Sequence, residues 1–297
     1  MAEEHVEFDL EAALRAEREV IASYSNPRVE KQEFQIPGSQ WPITARRYQR
    51  TDLAQPKQLV IWFHGGAFVG GSLDMPEAEI TSIELAERTS ALVVSVDYKL
   101  CSDKVKFPAP QIDALDALTW ALKEADRLGI PSRQLFIGGG SAGACLAGSL
   151  SLLARDRGVE LGGVMPIYPV AHNVLPEFSE ELERALIGVQ HLTREFTERH
   201  NPTLFGPDLN DLVKWHCFPG DASDKSGQAA FLVIQAEADS LRASGDEWIR
   251  QLREVGVEVS EHLMLGADHG YLNRHPAKDR AMFETLNLMG EFLNSRV

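Results

Sequence analysis

The sequence predicts an α/β fold, a mostly parallel central sheet with helices on both faces and a helical cap, and three observations carry that prediction. Short β-rich runs alternate with segments of helical period along most of the chain. The runs are continuously apolar, as strands covered on both faces are. A chain of 297 residues, 44% of them hydrophobic, suffices for one large core.

Taken in order, a helix is expected around Leu10–Ile21, then antiparallel edge strands at Glu33–Ile36 and Ile43–Tyr48. Leu59–Phe63, Ala91–Val96 and Gln134–Ile137 read as buried strands. Between the last two, Ile112, Leu115, Leu118, Leu122 and Ala125 share one helical face, and Gly129 with Pro131 ends the run. A helix to about Arg155 and a strand at Val164–Tyr168 follow. Ala171–Gln228 is longer than a crossover needs, so it reads as a cap inserted after that strand and completed by the N-terminal helix. The core resumes with a strand at Phe231–Gln235 and a helix carrying Leu241, Gly245, Trp248, Leu252 and Val255, stopped by Gly256. A strand at Val257–Leu265 precedes a last helix on Met282, Leu286, Met289 and Leu293, which Pro276 would open at its first position. The expected domains are therefore 1–45 for cap and edge, 46–170 and 229–297 for the core, and 171–228 for the cap.

Composition excludes several classes. Twenty-nine basic against 44 acidic residues give a net charge of −15, a poor surface for nucleic acid, whose phosphates need clustered Lys and Arg. No apolar run reaches the ~20 residues of a membrane span, and Met1–Leu10 carries acids where a secretory signal carries bases. Cys101, Cys145 and Cys217 are sparse, odd in number and outside any CxxC pair. That pattern fits reduced thiols in a cytoplasmic protein, with neither disulfide framework nor zinc ribbon. No HExxH or other metal spacing occurs, so neither metal nor cofactor is expected, only a small-molecule partner for a monomer or homodimer.

After the Gln134–Ile137 run comes Gly138-Gly139-Gly140-Ser141-Ala142-Gly143, in which Gly139, Ser141 and Gly143 satisfy G-x-S-x-G. A serine on a sharp strand-to-helix turn has strained backbone angles, and side chains two positions away would collide with it. The same turn aims the Ala142 amide and a helix N-terminus at negative charge forming beside the serine oxygen. A lone match arises by chance in roughly one chain in ten of this length. Gly138, Gly140 and Gly143 also satisfy the dinucleotide pattern G-x-G-x-x-G. That reading needs an acid near the end of the next strand, and the residues there, VMPIYP, include none.

A second signal stands at the end of the first buried strand, His64-Gly65-Gly66-Ala67-Phe68. A glycine-rich turn there can offer backbone amides, those of Gly66 and Ala67, to the oxyanion of an acyl-transfer intermediate, with His64 and Gly65 supporting the loop. An ordinary strand–helix turn also favours glycine, so the loop gains meaning only beside G-x-S-x-G. A serine nucleophile needs a base oriented by an acid, in the chain order Ser, Asp or Glu, His. Asp239 follows the Phe231–Gln235 strand and His269 follows the next one. Glu237 competes with Asp239 but lies nearer the strand body, and Asp268 is too close in sequence to bond the ring. His5, His200, His216, His262 and His275 sit in terminal, cap, strand or helix-start positions. His172 and His191 precede the acid, though His172, with Phe68 and Tyr271, could line the substrate pocket.

With these residues assembled, the chain resembles the hormone-sensitive-lipase-like branch of the α/β-hydrolases, especially its bacterial carboxylesterases, from about Leu59 onward. The resemblance rests on HGGAF, on Asp97-Tyr98-Lys99-Leu100, on Phe107-Pro108-Ala109, on GGSAGA, on Asp239-Ser240-Leu241-Arg242 and on His269-Gly270. It implies hydrolysis of short acyl esters without a cofactor, with Ser141, Asp239 and His269 as triad and Gly66, Ala67 and Ala142 as oxyanion donors. The chain departs from the family at Ala67, where a third glycine is usual, and at Gly140, where Asp is frequent. It also reads DYKLCSD from Asp97 to Asp103 where the family has DYRLAPE. Amides, formamides or thioesters would suit the same machinery, and a non-catalytic ligand-binding protein of this fold is the alternative from another class.

Overall fold

A computed structural model describes residues 10–189 and 191–297. The Met1–Asp9 stretch, His5 included, lies outside them. Eight strands form a single sheet in the order β1-β2-β4-β3-β5-β6-β7-β8. They are β1 (Val29–Ile36), β2 (Ile43–Arg50), β3 (Gln58–Phe63), β4 (Ala91–Asp97), β5 (Leu135–Gly140), β6 (Gly163–Ile167), β7 (Phe231–Ala238) and β8 (Val259–Asp268). From β4 to β8 every pairing is parallel, whereas β1–β2 and β2–β4 are antiparallel, as the first two runs led one to expect.

Alternation along β3 explains the two-sided core. Leu59, Ile61 and Phe63 face one apolar cluster, which also holds Leu118, Leu146 and Trp248. Val60 and Trp62 face the other, with Ile80, Leu286 and Met289. Helices α3 (Ala109–Leu128), α4 (Ala142–Arg155) and α8 (Arg242–Glu254) supply the first face, and α2 (Pro76–Arg88) and α9 (Arg280–Asn294) the second. Gly129 ends α3 in the left-handed conformation, φ 70°, with its amide returning to the Ala125 and Asp126 carbonyls.

The boundaries differ from the sequence reading in instructive places. Pro276 does not open the last helix; α9 starts at Arg280, where the Asp279 side chain caps the Met282 amide at 2.9 Å. Periodicity also gives no sign of α2, because Glu77, Glu79, Thr81 and Ser82 are buried on it among the apolar residues. Among the described residues between β6 and β7 lie three short helices, α5 (Glu180–Ala185), α6 (Arg194–His200) and α7 (Asn210–Lys214), with single 3-10 turns. Phe205 and Phe218 of this segment join Phe107 and Phe68 in one aromatic cluster, with centroids 5.0 to 6.5 Å apart. The first helix, α1 (Leu10–Ser23), lays Val20 and Ile21 against the second core cluster. Among the described residues no helix is long and apolar enough to cross a membrane.

Candidate active site

Register brings the candidate residues to one end of the sheet. Phe63 of β3 pairs with Gly139 of β5, so the loop after β3 lies against the turn after β5. Ala238 of β7 pairs with Asp268 of β8, so Asp239 and His269 leave the sheet side by side. Crevices beyond the carboxyl ends of parallel strands are where such folds place ligands.

Ser141 alone makes the turn from β5 to α4, with φ 53° and ψ −115°, and its amide donates to the Ile167 carbonyl at 3.0 Å. The flanking glycines are required by space. A Cβ on Gly143 would sit 2.1 Å from the Phe63 carbonyl oxygen, and one on Gly139 would sit 2.5 Å from the Gly143 backbone. His269 Nε2 lies 3.0 Å from Ser141 Oγ, and His269 Nδ1 lies 2.7 Å from Asp239 Oδ2. The other oxygen of Asp239 accepts the Leu241 amide at 2.9 Å, which fixes the carboxylate on its strand end. Glu237 is engaged elsewhere, with the Gly266 amide at 2.7 Å, and Asp268 pairs with Arg274.

Two opposed influences act on His269. Removal from water disfavours its cation, yet the charge and hydrogen bond of Asp239, with smaller contributions from Glu77 and Asp268, leave its pKa above the ordinary 6.5. The ring is surrounded by protein but keeps an open edge, 40% of the side chain being accessible from the cleft.

The loop after β3 holds Gly66, Ala67 and Phe68 in succession at φ 114°, 52° and 65°. A Cβ on Gly66 would lie 2.2 Å from the Gly70 carbonyl oxygen, so only glycine fits. The amides of Gly66, Ala67 and Ala142 donate to no acceptor among the described residues. The first two belong to the loop against the turn, and the third opens α4 beside Ser141. His64 is fully buried beneath this loop. Its Nδ1 sits 2.7 Å from the Gly65 carbonyl oxygen, its ring stacks on Tyr98, and the Tyr98 hydroxyl donates to its carbonyl.

The expected pocket residues fare differently. Phe68 is 3% exposed and packs edge-on against Phe107, which in turn meets Phe205 and Phe218 of the β6–β7 segment. Tyr271 does not face the cleft: it is fully buried, its hydroxyl paired with Thr285 at 2.7 Å, because the 3-10 turn after His269 rolls it under the sheet. His172 is likewise turned away, its Nδ1 2.9 Å from Ser244 Oγ on α8 and its ring over Gly220. Two residues outside the motifs approach the site instead. Glu77, 1% exposed, bonds the Gly65 amide and the Tyr168 hydroxyl, and Tyr168 lays its ring edge-on to His269 at 5.0 Å. The signal for Glu77 was the side-chain gap at Gly140, where a Cβ would meet its carboxyl group at 2.5 Å. A cleft of about 660 Å³ opens at His269 between α1 and the following loop, lined by Glu17, Val20, Asn273, Arg274 and Lys278 among others.

A parallel sheet with a serine on a strained strand-to-helix turn, a histidine and an aspartate at its carboxyl edge is the architecture of an α/β-hydrolase. The chain belongs to that family, in its hormone-sensitive-lipase-like branch: the model described as alpha/beta hydrolase fold matches residues 60–273. It is 33% identical to an arylesterase of Saccharolobus solfataricus, over 72% of this chain and 68% of that protein. It is 29% identical to a carboxylic ester hydrolase of Mycobacterium tuberculosis, over 90% and 72%. Among solved structures, the hyperthermophilic esterase of Pyrobaculum calidifontis superposes with a TM-score of 0.81 at 29% identity, covering 96% of this chain and 90% of that one.

Proposed function

We propose that this ester hydrolase is a serine carboxylesterase acting on short-chain or small-molecule esters through Ser141, His269 and Asp239. The hydrogen-bonded line from Asp239 through His269 to Ser141, at 2.7 and 3.0 Å, is the observation that carries this reading. In it, Ser141 Oγ attacks the ester carbonyl carbon while its proton passes to His269 Nε2. The carbonyl oxygen becomes an oxyanion facing the amides of Gly66, Ala67 and Ala142, and Asp239 stabilises the imidazolium. Collapse breaks the bond to the alcohol oxygen, which takes the proton from His269. Water, deprotonated by the same imidazole, then releases the acid and restores the serine. Esters are preferred over amides and thioesters because the relatives are named as esterases. A non-catalytic binder would have no need of an intact, hydrogen-bonded triad. The segment 171–228 is assigned the role of cap, with α1 closing the other side of the cleft.

Ser141→Ala is expected to lower kcat by about 10⁴-fold or more while circular dichroism and Tm stay near wild type. A fluorophosphonate should modify the wild-type chain at Ser141 only. Modification of a different serine, or near-normal turnover by the variant, would overturn the assignment.

A further inference from the structure

Beneath the nucleophile the chain buries a carboxylate that the triad does not use. Both oxygens of Glu77 are acceptors, one for the Gly65 amide and one for the Tyr168 hydroxyl. Its backbone is tied as well. The Glu77 amide donates to Asn273 Oδ1 at 3.2 Å, just after His269, and its carbonyl accepts the Trp62 indole at 3.0 Å. Among the described residues no Lys or Arg forms an ion pair with it, although a buried carboxylate is costly unless its charge is compensated. A positive charge does arise nearby during turnover, the His269 imidazolium, against which Tyr168 leans. The Glu77 carboxyl group also fills the space into which a side chain at Gly140 would point.

We propose that Glu77 is the positioning residue of this site. Its carboxylate fixes the strained oxyanion loop through Gly65, orients Tyr168 against His269, and favours the imidazolium formed when Ser141 gives up its proton. This rests on the Ser141–His269–Asp239 reading and adds to it a carboxylate delivered by α2, where the family often carries Asp next to the serine.

The test is the pH profile of kcat/KM for p-nitrophenyl acetate, measured on the full chain. His269 is also faced by Asp239, Asp268 and Tyr168, with Tyr271 behind Tyr168. Across the cleft stand Glu17 and Glu19 of α1, and Arg274, His275, Lys278 and Asp279 of its own loop. All of these stay in every variant, so a moved profile reports Glu77. Glu77→Gln keeps the shape and removes the charge. It is expected to lower the plateau about tenfold or more and to shift the acid limb to lower pH. Glu77→Asp should retain the wild-type limb. The double variant E77A/G140D, which brings a carboxylate into the same space from the nucleophile side, should recover both limb and plateau relative to E77A, and it carries the test if E77Q fails to fold. A wild-type limb and plateau in E77Q overturn the proposal. So does lost activity with an unmoved limb and no recovery in E77A/G140D, the behaviour of a packing residue. Fluorophosphonate modification of the wild type reports on Ser141 separately: no adduct there sinks the triad reading, whereas an adduct with indifferent Glu77 variants sinks only this one.

Discussion

At His269 burial and charge pull in opposite directions, and the balance fixes a measurable quantity. In the proposed mechanism the base must be neutral to accept the Ser141 proton, so kcat/KM is expected to rise with pH as the imidazolium is lost. Sequence reasoning alone places that rise at roughly 6 to 7, the range of an ordinary histidine. Desolvation is the largest single influence, but the charge and hydrogen bond of Asp239 with the charges of Glu77 and Asp268 together exceed it, so the pKa is raised and the midpoint is expected above 6.5. A midpoint below that value, measured with a neutral ester, would contradict this electrostatic balance. Ser141, Asp239 and His269 were legible because chain order and a spaced glycine motif fix which residues can meet. Tyr271 shows why adjacency to the base says nothing about direction, and His172 bonds Ser244 instead of lining the cleft. One residue's rotation in the 3-10 turn sends Tyr271 to Thr285 instead of the cleft.

The elements were legible wherever apolar residues recur with a clean period, as in β3, β5 and α3. α2 was not, since it buries carboxyl and hydroxyl groups: Glu79, for example, binds Lys31, Arg46 and Tyr48 on the neighbouring strands. The length of the β6–β7 segment was visible, but its attachment was not. Phe205 and Phe218 lock onto Phe107, whose other side meets Phe68, and the Leu204 carbonyl accepts the Phe107 amide at 2.8 Å. On the proposed reading of this segment as a cap, a tie through Phe107 to the loop after β3 is expected to enclose an acyl chain and not to let the segment swing clear of it. Each added CH₂ contributes only ~0.8 kcal/mol before crowding begins. Acyl groups of about two to six carbons are therefore expected to give the highest kcat/KM among p-nitrophenyl esters. Efficiency still climbing at long chains, with activation at an oil–water interface, would mean that the segment is a mobile lid.

At the scale of the whole molecule, the net charge of −15 gives a field that disfavours the approach of anions. An ester bearing a carboxylate should be hydrolysed more slowly than its neutral isostere, and added salt should narrow the gap by screening. Equal rates at low ionic strength would show that the local cations Arg274 and Lys278 cancel the global field. Fold class was readable because it depends on the sum of many weak patterns, whereas the distribution of strain is a property only the assembled chain has. Of the five non-glycine residues with positive φ among the described residues, Ala67, Phe68, Ser141 and Tyr168 gather at the carboxyl end of the sheet, and His216 lies apart. Each such angle costs of order 1–3 kcal/mol and persists because its surroundings hold it. Evolution and engineering therefore meet a divided molecule. Substitutions that tighten the far end of the sheet are expected to raise heat tolerance without disturbing the site, so selection for durability can proceed there while the working end keeps its tension.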